Sequence, residues 1–118
     1  MANEESHRDD VRERFEAWAR EEAQNRWPDA RVRYRSRAPN GSHHWEIAAP
    51  GVGEFWLAAT DDVLEDPAEV DAAMDRLSSV GWLDRLPDVP GHGVQVKPGG
   101  RIFQWDPERD DTHGFFAP

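Results

Sequence analysis

Between Arg31 and Thr60 the chain reads RVRYRSRA, a turn at Pro39-Asn40-Gly41, HHWEIAA, a turn at Pro50-Gly51, then GEFWLAAT. The first and third runs alternate with a period of two, the signature of pleated strands, whose successive side chains face opposite ways. Both interruptions use turn residues that supply a fixed φ and left-handed positions. A three-stranded antiparallel meander follows. Val32, Tyr34, Trp45, Ile47, Phe55, Leu57 and Ala59 fall on its apolar face. Arg31, Arg33, Arg35 and Arg37 fall on the other, beside His44, Glu46, Glu54 and Trp56.

The flanking segments supply cover for the apolar face. Over residues 8–26, Val11, Phe15, Trp18, Ala19 and Ala23 lie on one stripe of a helix that Pro28 ends. Asp66-Pro67-Ala68-Glu69 is a helix start: a capping oxygen, proline at the first position and an acid at the third. Val70, Ala73, Met74, Leu77 and Val80 form the buried stripe, and Gly81 fits the left-handed residue that closes it. A last hairpin spans 93–105 around Lys97-Pro98-Gly99-Gly100.

The predicted order is α-β-β-β-α-β-β. The fold class is α+β, a two-layer sandwich with an antiparallel sheet and both helices on one face. The 118 residues form one domain (1–118), with 1–7 and 107–118 as mobile or loosely docked tails and Phe115-Phe116 docking on the body.

Charge is distributed unevenly. The chain carries 14 basic and 24 acidic residues, net −10, and all its cations except Lys97 are arginines. A GC-rich genome, adaptation to high salt, or solubility through self-repulsion each accounts for the surplus. Residues 31–60 carry four arginines against two glutamates, net +2, while 61–90 carry two against nine, net −7. The sheet is the one positive quarter of an acidic chain.

Several function classes fall away. With no cysteine there is no disulfide framework, thiol nucleophile or cysteine-held zinc. No apolar run is long enough to span a membrane, and the acidic stretch Met1–Asp10 does not read as a secretory signal, so the expected location is the cytoplasm. Phosphate-loop, dinucleotide and Gly-x-Ser-x-Gly patterns are missing. No cofactor is expected.

Two constellations are left. His44 and Glu46 share a strand face and could seat a metal or pair a base with its acid, with a third ligand needed from His92, His113 or Glu54. His43 faces the opposite way. The zinc-deaminase pattern shares His-x-Glu, but its Cys-x-x-Cys is absent. The second is the basic platform of Arg31, Arg33, Arg35 and Arg37 with Trp56, suited to partner binding because arginine makes bidentate bonds and stacks on aromatic rings.

The first five elements share their order with double-stranded RNA-binding domains. Those grip phosphate with a basic start to the second helix, where this chain has Asp66-Pro67-Ala68-Glu69. The complete order, small size and acidity resemble the class of type III secretion chaperones, which implies an acidic dimer holding an extended segment of a partner.

The reading is therefore a non-enzymatic protein-interaction module, adaptor or chaperone-like and open to homodimerisation. Its partner is an unknown protein or a second copy. A single-stranded nucleic-acid binder using Arg31–Arg37 and Trp56 is the alternative, disfavoured by the overall negative field. A metal-dependent hydrolase centred on His44 and Glu46 comes third.

Overall fold

The structure, a computed structural model, describes residues 4–37, 42–108 and 111–116. It is an α+β fold. Helix α1 (Glu4–Arg26) leads into strands β1 (Arg31–Arg37), β2 (Ser42–Ala49) and β3 (Gly53–Thr60). Helices α2 (Asp61–Leu64), α3 (Pro67–Val80) and α4 (Trp82–Arg85) follow, with two 3-10 turns at 86–88 and 90–92. Strands β4 (Gly93–Lys97), β5 (Arg101–Asp106) and β6 (Asp111–Phe115) complete the chain. The expected Pro39-Asn40-Gly41 turn lies outside the described residues.

The six strands lie in sequence order across one sheet. Four of the pairings are antiparallel, but β3 and β4 run parallel, with Trp56 opposite Gly93 and Leu57 opposite Val94. The sheet is mixed rather than antiparallel throughout. The reason lies in the connection: residues 61–92 carry the chain back to the end of the sheet where β3 began, so β4 must run the same way. A second departure is β6, which makes a strand of part of the segment assigned to the tail.

The apolar face of the sheet follows the alternation. Register sets Val32 opposite Ile47 and Ile47 opposite Phe55, then Tyr34 opposite Trp45 and Trp45 opposite Leu57. Val11, Phe15, Ala19 and Ala23 of α1 are buried in the same cluster, as are Val70, Ala73 and Leu77 of α3. An aromatic line ties sheet to helices. Phe15 meets Trp45 edge-on at 5.5 Å and stacks on Trp18 at 5.7 Å, and Trp18 stacks on Trp82 at 5.5 Å. Burying rings of this size supplies a large share of the hydrophobic stabilisation. The Trp45 indole N–H is satisfied by Glu16 at 2.9 Å, which also pairs with Arg20 at 3.1 Å.

Local signals hold at α3. The Asp66 side chain accepts from Ala68 N at 3.0 Å, and Gly81 closes the helix at φ 65°, where a side chain would be strained. Glu69, placed to complete a capping box, instead accepts from Gly99 N at 2.8 Å and pins the β4–β5 turn to the helix.

Candidate functional site on the outer sheet face

Each platform residue sits where its strand carries it. Arg33, Glu46, Trp56, Gly93 and Trp105 form one row across the outer face, and Arg31, Ala48 and Glu54 the row beside it. Arg31, Arg33 and Arg35 are exposed and Trp56 is half-buried. Although Arg33 stands opposite Glu46, no ion pair or hydrogen bond holds Arg31, Arg33 or Arg35 among the described residues.

The row of four does not run unbroken. The register shifts between Tyr34 and Ser36, so Arg35 occupies a β-bulge. Beyond it Ser36 stands opposite His44 and Arg37 opposite His43, one residue out of step with the alternation that groups Arg37 with Arg33. Strict period-two reading assumed an uninterrupted ladder, and an inserted residue exchanges the faces of everything after it.

Among the described residues the acidic tail does not cover these arginines. Its segment 111–115 is β6, at the opposite edge of the sheet from β1. Five strand spacings of about 4.8 Å separate them. Asp110 lies outside the described residues.

The centre of the outer face is closed rather than solvated. His44, Ala58, Gln95 and Trp105 are all buried on it. Gly93 makes room for this: a Cβ there would lie 3.1 Å from the Trp105 ring and 2.5 Å from the Trp105 carbonyl oxygen. The Trp105 ring sits 4.4 Å from the His44 ring and 6.4 Å from that of Trp56. Gln95 donates from Nε2 to Ser42 Oγ beside them. His44, proposed as a ligand or base, is packed against an indole. Among the described residues no group of three or more His, Asp or Glu is arranged to hold a metal ion.

A hollow of about 320 Å³ opens at one end of this face, lined by Glu54, Trp56, Gly91, His92, Asp106, Pro107 and Glu108. Its three carboxylates give the face a negative zone two strands from the arginines. Trp56 borders both.

His43 belongs to a different arrangement, on the helix side. Its Nε2 lies 2.6 Å from Asp61 Oδ1 and its Nδ1 2.9 Å from the Tyr34 hydroxyl. A carboxylate can only accept, so Nε2 donates, and in the neutral ring Nδ1 then accepts from Tyr34. The Arg12 guanidinium lies 4.6 Å over the Tyr34 ring. This chain of polar groups joins α1, β1, β2 and α2. The signal for it was the helix-side placement of both Tyr34 and His43, with Asp61 directly after β3.

Comparisons with protein-family models, with curated proteins and with solved structures find no match to this chain. No described helix is long and apolar enough to cross a membrane.

Proposed function

We propose that this protein is a cytoplasmic, non-enzymatic interaction module that holds an acidic, extended segment of a partner protein against Arg31, Arg33 and Arg35. One observation carries the reading: three exposed arginines stand together on an edge strand with no ion pair or hydrogen bond among the described residues, with a half-buried tryptophan two strands away in the row of Arg33. In a chain of net charge −10, internal partners for arginine are plentiful. A guanidinium cluster left without them is available for bidentate contacts with carboxylates. Trp56 offers an aromatic surface at the inner limit of the platform, of the kind enriched at protein interfaces. The carboxylates around the hollow repel an acidic segment and confine it to the β1 side.

The test is fluorescence anisotropy with a labelled, acidic, extended peptide and, in parallel, single-stranded RNA, each titrated with salt. The expected result is peptide binding that weakens with salt and falls at least tenfold in the double variant Arg33→Glu with Arg35→Glu. Tighter binding of RNA, with a steep salt slope, would replace this reading with the nucleic-acid one. Binding of neither would remove both.

A further inference from the structure

β6 pairs with β5 on one side, through a ladder that shifts register between Phe103 and Trp105, and with no described strand on the other. Phe115, on its outer face, is 64% exposed and stacks on Phe103 at 5.1 Å, with the Lys97 ammonium 4.9 Å from the Phe103 ring centre. A described side chain reaches one backbone group of this strand: Gln104 Nε2 donates to the Phe115 carbonyl at 3.4 Å. An open strand edge beside an exposed aromatic ring is a template for a further strand.

The charges along this edge identify that strand. At the Asp111 end, Asp106 stands opposite Asp111. Asp106 and the exposed Glu108 are the described carboxylates at that end. At the Phe115 end, Phe103 is the partner of Phe115, and Arg101 lies two residues before it, paired with Lys97. The edge is therefore acidic at its start and basic at its finish. A two-fold antiparallel pairing sets the acidic end of each copy beside the basic end of the other. A parallel addition would set like against like. Self-complementarity under a two-fold axis is what an isologous contact requires.

We infer that the β6 edge is a self-association surface, where a second copy of this chain adds its own β6 antiparallel and extends the sheet across both protomers. Phe115 of each copy is then covered at the junction. One short strand buries a small area, so the dimer is reversible. The contact lies at the opposite edge from Arg31, Arg33 and Arg35. The double variant Arg33→Glu with Arg35→Glu should leave it intact, and this inference and the proposed function can fail separately.

Sedimentation velocity across a wide concentration range tests it. The wild type should show a monomer–dimer equilibrium, and Phe115→Lys should be monomeric. Arg101→Glu and Glu108→Arg should each weaken association at least tenfold, while the two together restore it, since positions 101 and 108 again carry opposite charges that meet across the two-fold. All three positions are exposed, and unchanged melting temperatures would show that the variants fold. A wild type that is monomeric throughout would overturn the inference. So would a dimer indifferent to these substitutions, or a double variant as weak as either single one.

Discussion

The two edges of the sheet face the same problem, unpaired backbone groups on an outermost strand, and treat it differently. At β1 the first helix lends side chains: Arg20 Nη2 donates to the Val32 carbonyl at 3.3 Å and Gln24 Nε2 to that of Ala30 at 3.2 Å. A bulge interrupts the ladder at each edge, at Arg35 in β1 and between Thr112 and Phe115 in β6, so it is the side chains lent by α1 that set β1 apart. At β6 the described side chain that reaches the strand's backbone, Gln104, comes from β5 rather than from a helix, and an aromatic ring stands exposed. The difference teaches that the two edges are suited to different partners. β1 offers charged side chains from a protected backbone. β6 offers the backbone itself.

The largest effect that would sharpen this contrast comes from the packing behind β1 and β2. Phe15 is fully buried between Trp18 and Trp45. Its replacement by alanine should cost about 3–5 kcal/mol in denaturant unfolding, the range for a large aromatic removed from a core. A loss below about 1 kcal/mol would mean that α1 does not anchor this side of the sheet. A smaller effect belongs to the cap. Arg20→Ala removes a donor from the Val32 carbonyl and a partner from Glu16, both partly buried, and should cost about 0.5–1.5 kcal/mol. It should also loosen the β1 edge, read as faster exchange of the amide hydrogens there. Unchanged exchange would mean that β1 is protected by its bulge alone.

The halves of this comparison were unequally legible in the amino-acid sequence. Alternation from Val32 to Ala59 marked the faces of three strands, because a strand with one buried side must repeat every two residues. Asp66-Pro67 and Gly81 marked the ends of α3, because their conformational preferences are local. The bulge at Arg35 left no such mark: Arg-Ser-Arg reads the same with or without an inserted residue, and only pairing with β2 decides. The strand Asp-Thr-His-Gly-Phe is poor in β-branched residues and reads as a tail. Its pairing comes from β5, and Phe116 anchors its end, buried, with its amide donating to the Ile102 carbonyl at 3.0 Å.

The platform shows the same division. Arg31, Arg33 and Trp56 were found by period alone. The closed centre around His44 depended on Trp105 lying over Gly93, a contact between residues on different strands that no local pattern announces. Parallel pairing of β3 with β4 was hidden for a related reason, since it follows from where residues 61–92 return the chain.

Amide hydrogen exchange, followed residue by residue at low and high protein concentration, tests the contrast between the edges most directly. Exchange reports local opening, and protection that depends on concentration reports a contact between copies. The β6 amides that face away from β5 should exchange freely in dilute solution and become protected as concentration rises. Those of β1, where α1 already serves the edge, should show the same protection throughout. Protection of β6 that does not change with concentration, or a gain confined to β1, would contradict the account.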